Sequence, residues 1–285
     1  MMQVRLKRKR SKITDQLVAY LILSGGLTII IFPYIWMVIA SFKPSGEIFT
    51  RFIPTRLTLD HYRFLLKTSA AFDWPFGRAL FNSFLVAGID TLSVVFFGSM
   101  AGYALARLRF RGREPLYNFV LYQMLFPYTM FVIPLFVLIH KLGFVNTYQG
   151  MFLPFMLSAW SIFFYAQFFR TIPQEMIDAA RIDGCSELGI VFRIMVPLAS
   201  SITIVVALFT FMERWDEFLW NLIVVKERTK TPLPVLLALF TRGAYMSYYG
   251  PQMAGATILT VPIVTLFLFA RRFFVKGIIM TGLKR

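Results

Sequence analysis

The sequence predicts an all-α, polytopic membrane protein, and three observations carry that prediction. Of 285 residues, 58% are hydrophobic, only 15% are charged and 32 are Phe, with a mean hydropathy of +0.66. A soluble chain of this length carries more charge and far less Phe. The apolar residues gather into runs that, at about 1.5 Å per helical residue, cross a hydrocarbon core of about 30 Å. Lys and Arg flank those runs, so the net charge of +16 reads as membrane orientation rather than nucleic-acid binding. A lone Cys185 excludes an intrachain disulfide. With only His61 and His140 beside it, no metal site of ordinary ligand type assembles. The first apolar run is too long for a cleavable signal peptide and lacks a small-residue cleavage site.

Taken in order, residues 1–15 form a basic tail carrying Arg5, Lys7, Arg8, Lys9, Arg10 and Lys12, expected in the cytoplasm. Residues 16–285 form the transmembrane domain. Its first span runs from Gln16 to Phe42, and residues 43–78 read as the first external loop. The second span, Ala79 to Ala106, contains Asp90, whose carboxylate must face protein or water at that depth. Small residues Gly98, Ala101, Gly102 and Ala104 let a neighbouring helix approach closely. Arg107, Arg109, Arg111 and Arg113 then mark an inner loop. The third span, Leu116 to Ile139, is expected to bend at Pro127 and Pro134, and Lys141 to Gln149 is an external turn. Gly150 to Phe169 is the fourth span. The fifth starts at Pro197 and ends near Phe211, with Trp215 and Trp220 fitting an interfacial aromatic belt. Residues 226–251 form a second external loop, which carries the aromatics Phe240, Tyr245, Tyr248 and Tyr249. Met253 to Ala270 is the last span. Six spans place both termini inside, with 18 Lys/Arg on inner segments against 12 on outer ones.

Residues 172–197 stand apart. They mix charge with small residues in a helical pattern too polar to cross a bilayer. Pro173 suits a first helical turn, with Thr171 as its cap and Glu175 near the positive helix end. The helix continues through Asp178, Ala179, Ala180 and Asp183, and Gly184 permits a turn into a second helical stretch, Ser186 to Met195. The acidic residues Glu175, Asp178, Asp183 and Glu187 argue against an anionic lipid surface. A docking helix for another protein is the better reading.

The spacing here reaches a known family. Asp178-Ala179-Ala180, three residues, Gly184, nine residues, then Ile194-Met195-Val196-Pro197 resembles the EAA loop of ABC importer permeases, with Asp178 in place of Glu and Val196 in place of Leu. The string from Ala179 to Ser186 looks like the carbohydrate-uptake, MalG-like version. Asn82-Ser83, Gly102 to Arg107, Ile133 to Phe136, Leu142 to Tyr148, Trp215 to Trp220, Met253 to Ala256 and Phe274 to Gly277 resemble that family in the same order.

The resemblance implies a six-span permease whose segment 172–197 is a coupling helix seated in a cytoplasmic ATPase, with Glu175, Asp178, Ala179, Ala180, Asp183, Gly184 and Pro197 as the coupling residues. It implies a second homologous permease subunit, an ABC ATPase dimer and an extracytoplasmic solute-binding protein as partners, in a bacterial or archaeal plasma (inner) membrane. The tail 277–285 would reach between the ATPase subunits. No GxxxxGK[ST] run occurs, so the chain needs no cofactor of its own, and ATP and Mg belong to the partner ATPase. Asp90, Gln123 and Asn221 are the polar positions assigned first to the substrate pathway. Two other classes stay open on the residues alone: an ion-coupled secondary transporter, for which Asp90 is the one clear ionisable candidate, and a non-transport membrane scaffold.

Overall fold

The computed structural model describes residues 2–68, 75–241 and 247–282, with side chains described over 15–67, 75–241 and 247–271. Among the described residues there are helices, turns and irregular links, and no strand. In chain order the main helices are α1 (Met2–Ser41), α2 (Phe76–Arg107), α3 (Arg113–Gln123), α4 (Val132–Lys141), α5 (Tyr148–Phe152) and α6 (Ala159–Phe169). They are followed by α7 (Gln174–Ile182), α8 (Glu187–Ile190), α9 (Ser200–Trp215), α10 (Leu219–Val224), α11 (Leu233–Phe240) and α12 (Tyr249–Gly282). The chain forms two compact units, Met1–Thr68 with Phe240–Ile258, and Ser69–Leu239 with Leu259–Arg285.

Three helical stretches are each long and apolar enough to cross a membrane: Asp15–Ser41, Phe76–Arg107 and Tyr249–Arg271. Three further candidates are bent pairs. Arg113–Gln123 with Tyr128–Lys141 turns by 98°, Tyr148–Phe155 with Ala159–Phe169 by 41°, and Glu187–Leu198 with Ser200–Trp215 by 89°. Counting each pair as one span gives up to six by length and composition, although Glu187–Leu198 of the last pair falls almost wholly within the polar segment 172–197, leaving Ser200–Trp215 as its apolar part.

The third span turns sharply beside Pro127, one of the two prolines expected to bend it. Pro127 has no N–H and forces Phe126 out of helical backbone, so the helix stops outright near Gln123. Pro134 does not kink anything. It sits in the first turn of α4, where its missing donor has no helical acceptor to serve.

In the larger unit α2 is the central element, packed along both α6 and α9. Gly98 and Gly102 make the α2–α6 approach possible. A Cβ on Gly102 would lie 2.5 Å from Tyr165 Cβ and 3.1 Å from the Ala166 backbone nitrogen; one on Gly98 would lie 2.5 Å from Ser161 Oγ. Asn82 and Ser83 tie down the segment before α11. Asn82 Nδ2 donates to the carbonyls of Thr229 (2.9 Å) and Thr231 (3.2 Å), Tyr148 Oη donates to Asn82 Oδ1 (2.8 Å), and Ser83 Oγ accepts from Leu233 N (2.8 Å). The stretch read as a second external loop thus contains a helix, α11, whose Leu233, Val235 and Leu236 are buried.

Trp215 and Trp220 correct another expectation. Neither sits in an exposed aromatic belt: both are buried, and each indole N–H donates to a backbone carbonyl, Trp215 to Leu259 (2.9 Å) and Trp220 to Gly150 (2.9 Å). A ring with one donor is satisfied by a single carbonyl, so these tryptophans serve as interhelical anchors.

In the smaller unit Lys43 is fully buried, its ammonium donating to the Arg51 carbonyl (2.6 Å). Its own carbonyl bonds His61 Nε2 (2.8 Å). Phe240 is buried beside Phe64, while Tyr248 and Tyr249 are partly exposed and contact Phe64 and Phe49. Tyr245 lies outside the described residues.

Candidate functional site

The segment 172–197 folds as a helix–turn–helix whose geometry follows from its residues. α7 begins at Gln174, one residue later than a first-turn Pro173 implied, and Thr171 donates back to the Phe168 carbonyl (2.7 Å) instead of capping. At its other end, Gly184 adopts φ +77°. Gly184 N bonds the Arg181 carbonyl (3.0 Å) and Cys185 N the Ala180 carbonyl (2.9 Å), the paired bonds of a Schellman cap. Open space surrounds Gly184, so its requirement is the left-handed backbone alone. Ser186 then caps α8, accepting from Gly189 N (3.2 Å).

One face of α7 is inward. Ile177 and Ala180 are buried in a cluster with Tyr103 of α2, Tyr165 and Phe169 of α6, and Ile190, Val191 and Met195. The opposite face is open: Glu175, Asp178, Ala179, Asp183 and Gly184 are exposed, as is Pro197 at the far end of the segment. Ile182 is 86% exposed and Met176 and Leu188 are also exposed. Of the seven residues proposed for coupling, six are exposed, and Ala180 alone faces the membrane helices.

Polar side chains fasten this segment to α2. Arg107, the last residue of α2, donates Nε (3.0 Å) and Nη2 (2.6 Å) to the Phe169 carbonyl, Nη2 also to the Ile172 carbonyl, and Nη1 to Gln174 Oε1 (3.1 Å). Four residues toward the N-terminus, Tyr103 Oη donates to Glu187 Oε2 (2.5 Å). Arg181 joins the two halves, donating Nε to Glu187 Oε1 (2.8 Å) and Nη1 to Asp178 Oδ1 (3.2 Å). Asp178 also accepts from Gln174 Nε2 (3.0 Å). Sequence reading missed Tyr103 and Arg107 as members of this site. Their spacing of four on α2, both pointing toward one end of the helix, was the available signal.

The hydrogen bond from Arg181, helped by that from Tyr103, holds the Glu187 carboxyl below its ordinary range. A carboxylate with a depressed folded pKa contributes its stability above its unfolded value and loses it as pH falls through the folded one. The wild-type segment is therefore expected to match a Glu187→Gln variant in amide exchange over 174–195 only once pH has fallen through the depressed Glu187 value, below the ordinary carboxylate range. At neutral pH the variant should exchange faster. Equal protection at pH 7 would show that this pair holds nothing.

The three pathway positions differ in exposure. Asp90 is fully buried in α2, and Asn221 is buried with its amide spent on the Glu217 carbonyl (2.8 Å). Gln123 is exposed and lines an open cleft.

A family model described as binding-protein-dependent transport system inner membrane component matches residues 95–280. The chain belongs to that family. This permease is 36% identical over 289 residues to the arabinooligosaccharides transport system permease protein AraQ of Halalkalibacterium halodurans, covering 98% of this chain and all of that protein. It is 33% identical to the lactose transport system permease protein LacG of Rhizobium radiobacter (95% and 97% of the two chains) and 32% identical to the trehalose/maltose transport system permease protein MalG of Thermococcus litoralis (90% and 92%). Its fold is shared with a chain of a bacterial ABC transporter involved in the import of the acidic polysaccharide alginate, with a TM-score of 0.81 at 22% identity over 93% of this chain and 98% of that one. A further structure of a bacterial alginate ABC transporter, in complex with an alginate pentasaccharide-bound periplasmic protein, aligns at a TM-score of 0.61 and 16% identity over 90% and 93% of the two chains. The permease is a multi-pass membrane protein.

Proposed function

We propose that this permease forms half of the translocation pathway of an ATP-driven importer for a sugar or related polyol, delivered by an extracytoplasmic solute-binding protein. The observation that carries the reading is the exposed face of α7, presented on a helix whose other face is locked into the spanning helices. A surface helix with bare apolar side chains beside acidic ones suits a protein groove better than lipid headgroups. The partners are a second homologous permease, which completes the pathway, and an ABC ATPase dimer that holds the ATP and Mg. Six spans in a bacterial or archaeal inner membrane would put residues 172–197 and both termini in the cytoplasm. The tail 277–285, whose side chains lie outside the described residues, would extend toward the ATPases.

Movement of α7 by the ATPases would be transmitted through Arg107, Tyr103 and Glu187 to α2, and so to α6 and α9 packed against it. Docking is testable without touching the fold. Ile182→Asp, at a position 86% exposed, is expected to reduce ATPase recovery with the tagged permease about tenfold, the scale of one interface hot spot, while membrane insertion is unchanged. Full recovery of the ATPase with this variant would place the docking surface elsewhere.

A further inference from the structure

The breaks between α3 and α4 and between α5 and α6 both border one cleft of about 520 Å³, closed by the last turn of α9. Irregular backbone at membrane depth persists where protein buries it or where it lines a hydrated cavity. Two breaks meeting at one cavity mark it as part of a path. Its wall joins the rings of Tyr128, Phe155 and Trp160 to the polar groups of Gln123, Glu213 and Arg214.

The two charges there differ in access. The Glu213 side chain is 57% exposed, whereas that of Arg214 is 6% exposed. Arg214 Nη2 donates to Glu213 Oε1 (2.7 Å) and lies 3.5 Å from Glu217 Oε2, and its guanidinium sits 4.0 Å from the centre of the Phe155 ring. The buried cation thus already faces two carboxylates and a ring, while its Nη1 is buried without a hydrogen-bond partner. What the cleft offers an incoming molecule is the carboxylate, the Gln123 amide and aromatic faces.

We propose that this cleft is a subsite of the translocation path for an uncharged, hydroxyl-rich saccharide, with Glu213 and Gln123 bonding sugar hydroxyls and Trp160 and Tyr128 covering the apolar face of a sugar ring. The inference rests on the transport reading above and deepens it. A carboxylate accepts strongly from hydroxyls, and an amide both donates and accepts. Aromatic faces supply apolar area and leave the ring free to slide on. A uronate would bring a second carboxylate against Glu213, with one engaged guanidinium facing three negative groups. Arg214 is a positioning residue, holding the Glu213 carboxylate at the wall.

The experiment is uptake by the assembled transporter, reconstituted in vesicles with ATP and its binding protein, across neutral di- and trisaccharides and their uronate counterparts. Wild type should import neutral members only. Glu213→Lys should lower uptake of the accepted sugar about tenfold and Glu213→Gln, which keeps an acceptor, about threefold, with the sugar affinity of the binding protein unchanged. Uptake of uronates by wild type overturns the charge assignment. Glu213→Lys and Gln123→Leu both within twofold of wild type remove the cleft from the path. If Glu213→Lys fails to assemble, Gln123→Leu, at an exposed position, decides alone. Absence of ATP-dependent uptake of any saccharide by wild type instead sinks the transport reading itself.

Discussion

Gly102→Leu is expected to prevent normal assembly of the membrane helices. The Cβ alone would stand 2.5 Å from Tyr165 Cβ, and its next neighbours are backbone, Ala166 N at 3.1 Å and the Ile162 carbonyl at 3.2 Å. Backbone in the middle of α6 has no rotamer to escape into, so α2 and α6 must separate along a stretch that also contains Gly98. Overpacking of this kind costs about 3 kcal/mol. The larger effect follows from what the separation releases: Tyr103, Tyr165 and Phe169 belong to the same cluster that seats α7. Thermal inactivation in detergent should fall well below wild type for Gly102→Leu and part of the way for Gly102→Ala. Gly88→Ala on the same helix, with nothing within 4 Å of its Cβ, is the control and should be neutral. A wild-type melting profile for Gly102→Leu would mean that α2 and α6 do not pack as described.

Arg107→Met is expected to leave a folded permease that transports poorly. The guanidinium serves two backbone carbonyls and the Gln174 amide at once, filling acceptors that the end of α6 leaves without helical donors. Hydrogen bonds from a charged group are worth about 1.5–3 kcal/mol each when well placed. Arg107 is half-buried, so about 2–4 kcal/mol in all is a reasonable scale after solvent screening. That free energy resides where the end of α2 meets the end of α6 and the start of α7, the joint assigned above to transmission. ATP-driven uptake should drop about tenfold or more while ATP hydrolysis by the co-purified ATPase persists. Arg107→Lys should recover little, because one ammonium cannot span the fork of acceptors that a guanidinium does. Parallel loss of uptake and hydrolysis would assign Arg107 to folding or docking instead.

Much of the helix–turn–helix over 172–197 was legible because its determinants are local. Gly184 must supply a left-handed residue between two helices, and the spacing of Asp178, Ala179 and Ala180 to Gly184 fixes which residues share a turn. The same locality misled at Trp215 and Trp220. An aromatic residue at the end of an apolar run reads as interfacial, and only the position of the Leu259 and Gly150 carbonyls, 44 and 70 residues away, makes these rings buried anchors. Pro127 and Pro134 make the same point from a shorter distance. Both remove a donor, but one falls inside the span and ends a helix while the other falls in a first turn and costs nothing.

Composition, the placement of Lys and Arg, and the order of short blocks determined that the chain is an all-α membrane permease with one polar helical segment, 172–197, set among its apolar runs. These properties depend on residue type and near spacing, which the sequence states outright. Tertiary structure alone decided which face of that segment is free, that Arg107 and Tyr103 fasten it to α2, and that Gln123, Glu213 and aromatic rings from two broken helices share a cleft. Each of those facts is a contact between residues far apart in the chain, set by how closely glycine-bearing helices approach and where they break, and no periodicity in a single segment records it.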